Sequence, residues 1–109
     1  MRDWRLQLEA EFDRAEKARA SGNEGQARVC ARRAAGIAVR EYYSRLGRDL
    51  RTPSALDLLV FLLDDPKCAP RIKQSATYLT MRVNEEFKLP EDVDLVAEAR
   101  RLCNGLLSK

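Results

Sequence analysis

The chain has 109 residues, 45% of them hydrophobic and 34% charged, with five Gly, four Pro and a net charge of +3. That length suits a single domain over residues 1–109, and a composition this apolar and this charged excludes a disordered chain and a membrane-embedded one. The longest apolar run, Leu58 to Leu63, falls far short of a bilayer span of ~20 residues, and no apolar stretch follows Met1-Arg2-Asp3-Trp4-Arg5, so no secretory signal is expected.

The first helix is predicted over about 3–20, where Trp4, Leu8, Phe12 and Ala15 form one stripe of a 3.6-residue period. Ser21-Gly22-Asn23 supplies the turn, with Gly22 able to take the left-handed conformation that ends helices. A second helix follows over about 24–46. Ala27, Ala31, Ala34, Ala38 and Tyr42 share a face widened by Cys30, Ile37 and Leu46, and Gly47 ends it. The short connection makes the two an antiparallel hairpin. Thr52-Pro53 reads as a cap followed by proline at the first helical position. The third helix, Ser54 to Leu63, is apolar all round except at Asp57, which predicts burial on more than one face. Asp64-Asp65-Pro66 stops it.

Pro70 opens a fourth helix with Ile72, Ala76, Leu79 and Val83 on one face. Residues 84–90 read as a loop. Pro90-Glu91-Asp92 then starts the last helix, whose inner face is Leu95, Ala99, Leu102, Cys103 and Leu106. No segment alternates as a strand does, so the fold class is all-α, a compact bundle of about five helices.

With no His in the chain, the commonest general base and metal ligand are missing. Cys30, Cys68 and Cys103 are widely spaced, and none belongs to a CxxC pair. Cys30 and Cys103, on apolar helix faces, read as small core residues of a cytoplasmic, reducing environment, with no metal and no cofactor implied. Asp64-Asp65, Glu85-Glu86 and Glu91-Asp92-Asp94 fall at helix ends and loops, where solvated caps explain them. No catalytic residue is assigned.

Two surfaces of the second helix remain as candidates. Residues 24–51 carry seven Arg against three acids. Arg33 and Arg40 point the same way, and Arg48 and Arg51 continue the charge, so the four could meet phosphates of a nucleic acid. The alternative is a solvated helix face, with Glu41 and Arg45 an i, i+4 ion pair. Val29, Gly36 and Tyr43, seven residues apart, form a second stripe away from the alanines. A glycine inside a helix costs about 1 kcal/mol relative to Ala, which close approach of another backbone can offset. That backbone belongs either to a second subunit, in a two-fold interface, or to another helix of the same bundle.

Asp3-Trp4, Gly22, the small-residue run Ala31-Arg32-Arg33-Ala34-Ala35-Gly36-Ile37-Ala38-Val39-Arg40 and Ser54-Ala55-Leu56-Asp57-Leu58-Leu59 together resemble the HEPN superfamily over about residues 3–63. The resemblance implies a dimeric helical bundle that works beside a nucleotidyltransferase partner or acts as a metal-independent RNase. The RNase motif, Arg-x4–6-His, has no counterpart here, and Gly36 stands where the family's second-helix motif has Glu. The expectation is therefore a non-catalytic interaction module, a homodimer that binds a protein partner or a nucleotide-like ligand. The alternative is a nucleic-acid-binding bundle.

Overall fold

The computed structural model describes residues 3–81 and 93–107. Helix α1 spans Trp4–Ala20, α2 Glu24–Arg45, α3 Ala55–Leu63, α4 Pro70–Leu79 and α5 Leu95–Leu107, and no strand occurs among the described residues. Local chemistry sets most of these bounds. Asp3 accepts a hydrogen bond from the Arg5 amide at 2.9 Å and Asn23 from the Gln26 amide at 3.0 Å, capping α1 and α2. Gly22 and Gly47, at φ +83° and +82°, turn the chain after each of them.

Helix α2 lies at the centre, packed by α1, α3 and α5. It runs antiparallel to α1, as a hairpin must. The small Ala27, Ala31, Ala34, Ala35 and Ala38 are fully buried along it, so its neighbours approach closely on several sides. Helix α3 runs alongside in the same direction. Gly36 faces Ala55 near its start, and the rings of Tyr43 and Phe61 meet edge-on at 4.9 Å near its end. Cys103 of α5 reaches the Ala34 carbonyl, and Leu95, Ala99, Leu102 and Leu106 complete the core. The radius of gyration, 13.4 Å, matches the ~13 Å expected for a folded chain of this length.

Three boundaries differ from the sequence expectation. Thr52 does not cap α3, and Pro53 is not its first residue. Ser54 is the cap, accepting from the Asp57 amide at 3.2 Å. The Thr52 hydroxyl instead accepts from the Ser54 amide at 3.1 Å and donates to Asp57, forming a turn ahead of the helix. Leu46 leaves the inner face because α2 ends one residue earlier and Gly47 turns the chain outward. Helix α5 begins at Leu95, where the Asp94 carboxylate accepts from the Ala97 amide at 3.1 Å. Val83, Glu85, Glu86 and the residues Pro90, Glu91 and Asp92 lie outside the described residues.

Helix α3 also departs from burial all round. Leu58, Leu59 and Leu62 are buried, whereas Leu56 and Val60, one turn apart, are 42% and 43% exposed. A nine-residue helix with a single core beneath it has one face left over.

Candidate functional site

Helices α4 and α5 pack antiparallel, with Ser75 opposite Glu98 and Ile72 opposite Gly105. A Cβ on Gly105 would stand 3.0 Å from Ile72, so the glycine keeps the helices close at that end. Ala76 and Leu79 of α4, with Leu95, Ala99 and Leu102 of α5, face the core. The residues beside them form a groove along the outside of the pair. Arg71, Gln74, Ser75 and Tyr78, three or four apart, line one wall; Glu98, Arg101 and Asn104 line the other. The groove encloses about 760 Å³.

Within its walls a buried pair, Ser75 and Glu98, meets the exposed Arg101. Glu98 is only 8% exposed. One carboxylate oxygen accepts from the Ser75 hydroxyl at 2.8 Å, and the other accepts from a guanidinium nitrogen of Arg101. A carboxylate this buried is costly unless both oxygens find donors. Here they do, and the Arg101 side chain, 63% exposed, is held at the groove by that bond. Arg71, in the first turn of α4, lines the other wall of the groove.

The arginines singled out in the sequence are placed differently. Arg40 donates to the Thr52 carbonyl at 2.8 Å, Arg48 stacks over Phe61 at 4.8 Å, and Arg51 pairs with Asp49 at 3.2 Å. Arg33 is exposed and makes no hydrogen bond or ion pair among the described residues. Arg40 and Arg48 do meet, in a cleft of about 200 Å³ beside Trp4, but Glu41 and Asp49 line the same cleft. Neither acid pairs with those two arginines: Asp49 pairs with Arg51, and Glu41 pairs with Arg45 at 3.0 Å, the i, i+4 contact expected of a solvated face.

Of the Val29–Gly36–Tyr43 stripe, Gly36 and Tyr43 pack within the chain, the second of the two occupants the sequence left open. At Gly36 the close backbone is that of α3 in the same chain: a Cβ there would meet Ala55 Cβ at 3.1 Å and Ala55 Cα at 3.2 Å. Tyr43 is 1% exposed, and its hydroxyl donates to Asp65 at 2.6 Å. Burial and that bond push the Tyr43 pKa well up, while the same bond and one from the Lys67 amide hold Asp65 below the usual carboxylate range. Only Val29 remains exposed, so the stripe offers no continuous surface to a second subunit.

Other charged groups serve the bundle. Arg19 bridges Glu24 at 2.7 Å and Asp94 at 3.0 Å, tying the ends of α1, α2 and α5. Arg32 donates to the Leu79 and Met81 carbonyls at 2.7 and 2.8 Å, satisfying the end of α4. Cys30 and Cys103 are buried as expected, and burial pushes the Cys103 thiol up to about 12. Among the described residues, no three of His, Cys, Asp and Glu converge as a metal site would require, and no helix is long and apolar enough to cross a membrane.

The sequence reading missed the groove. Its signal was present at Glu98, three residues after Leu95 and four before Leu102, which puts a carboxylate on the apolar face of α5. An acid in that register needs donors from a neighbouring helix, and Ser75 is the hydroxyl that α4 offers. Compared with known proteins, the chain matches no family model, no curated protein and no solved structure.

Proposed function

We propose that this chain is a non-catalytic helical interaction module whose recognition surface is the groove between α4 and α5. The observation that carries the reading is the buried Ser75–Glu98 pair that holds the exposed Arg101 at the groove. A buried carboxylate is weak evidence for stability, since apolar residues of similar volume commonly serve as well or better. A buried pair that fixes an outward-facing guanidinium beside an open groove has a use in binding. The volume falls within the range of small-ligand sites, and Gln74, Tyr78 and Asn104 give it amide and phenol groups for orientation. The HEPN resemblance lies on α1–α3, so it supports the bundle scaffold and leaves the groove as this chain's own feature. The absence of His and of any assigned nucleophile supports binding over turnover. The nucleic-acid alternative has less support, because Arg40, Arg48 and Arg51 are engaged within the chain.

Native mass spectrometry of freshly purified protein tests this reading, with Gln74→Trp as the comparison, because an indole at that exposed position fills the groove without touching the core. A ligand retained by the wild type and lost from a normally folded Gln74→Trp is the expected result. A ligand retained equally by both places recognition elsewhere. The same spectra count subunits. A homodimer would need a surface other than the Gly36 stripe, and the exposed Leu56 and Val60 of α3 are the apolar pair at hand.

A further inference from the structure

We infer that the α4–α5 groove is an anion site, taking a small organic phosphate or carboxylate between Arg101 and Arg71; the inference rests on the groove being the recognition surface. Three charged side chains line the groove: Arg71 and Arg101 against Glu98. Glu98 lines the groove, but it is only 8% exposed and both its oxygens already accept hydrogen bonds, from Ser75 and Arg101. The charge exposed to the open space is that of Arg71 and the outer side of Arg101.

Arg101 carries five N–H donors in a rigid fork. The bond to Glu98 occupies one nitrogen and fixes the plane of the guanidinium, leaving donors on the exposed side for a second oxyanion. Arg71 adds a charge that has no ion pair among the described residues. It stands in the first turn of α4, where Ala69 provides no side-chain cap and no acidic residue offsets the positive end of the helix. Ile72 and Tyr78 give the groove apolar surface for the body of the ligand, and its volume of about 760 Å³ accommodates a small molecule.

The chemistry common to the two ligand sources is a multiply charged oxyanion. Isothermal titration calorimetry with pyrophosphate, with citrate and with spermidine as the cationic control tests it on the intact chain. Binding of pyrophosphate or citrate, and none of spermidine, is expected; the tighter anion identifies the phosphate or the carboxylate source. Arg101→Gln should weaken that binding roughly tenfold or more, the effect of losing one charge-assisted hydrogen bond. Arg71→Gln should weaken it by a smaller factor. Ser75→Ala tests the positioning of Arg101: a sharp Arg101 Nε–Hε resonance is expected in the wild type, and releasing Glu98 should broaden it. Anion affinity unchanged in both arginine variants overturns the inference. Binding of spermidine alone, abolished by Gln74→Trp, also overturns it while leaving the groove as the recognition surface. If no probe binds and native mass spectra show no ligand retained at the groove, both readings fall.

Discussion

Glu98 occupies a position where the period of α5 calls for an apolar side chain, and Gly36 one where the period of α2 calls for any residue with a Cβ. Both exceptions are legible in the sequence as exceptions, and neither names its partner. For Gly36 the sequence left two occupants open, a second subunit or a helix of the same chain. Choosing between them required the path of residues 46–54, which brings Ala55 back against α2. The consequence can be measured. Gly36→Ala gains about 1 kcal/mol of helix propensity, but its Cβ would press on the Ala55 backbone at 3.2 Å, which cannot rotate away. Overpacking of this kind costs about 1–3 kcal/mol. Urea unfolding should therefore show Gly36→Ala to be less stable than the wild type. A more stable variant would mean that α3 does not lie that close.

Helices with a strong apolar period were read correctly from the sequence, and the ends of helices were read less well. The cores of α1, α2 and α5 follow from Phe12, the alanines of α2 and Leu95–Leu106. At Thr52-Pro53 two cap patterns compete within three residues, since Thr52 and Ser54 can each accept from a nearby amide. The helix starts at Ser54 because the Thr52 hydroxyl is already committed to the preceding turn. Helix α3 was misjudged for a different reason: with apolar residues on every side, periodicity carries no direction. The structure assigns the faces, and the assignment predicts unequal costs. Leu58→Ala, at a buried site, should cost about 2–5 kcal/mol in urea unfolding. Val60→Ser, on the exposed face, should stay within about 0.5 kcal/mol of the wild type. Comparable losses at both positions would mean that a further surface covers Leu56 and Val60.

For the molecule as a whole, ion pairs between elements fasten the ends of the bundle while the alanine-rich α2 fills its centre. Arg19 is the clearest case, joining Glu24 and Asp94 across three helices. Burial alone would raise the Asp94 pKa, but the hydrogen bonds from Arg19 and the Ala97 amide outweigh it and hold the group below the usual carboxylate range. A carboxylate with a depressed folded-state pKa adds stability above its unfolded value of about 3.9, and that stability is lost as pH falls through the folded value. Wild-type stability should therefore drop on acidification below about pH 4, and Asp94→Asn should be less stable at neutral pH with a shallower acid drop. Equal acid slopes for the two proteins would assign the loss to other groups, Asp65 beside Tyr43 first among them.

The groove belongs to this same scale, because α4 and α5 each supply half of it and neither half is a motif alone. Its wall residues are ordinary polar side chains in the sequence; only the antiparallel packing of Ser75 on Glu98 assembles them. Amide chemical-shift mapping of the 15N-labelled protein, titrated with pyrophosphate, bears most directly on that assembly. The account predicts perturbations concentrated at residues 71–78 and 98–105. Perturbations gathered instead at Arg33, Arg40, Arg48 and Arg51 would contradict it and return the basic side of α2 as the binding surface.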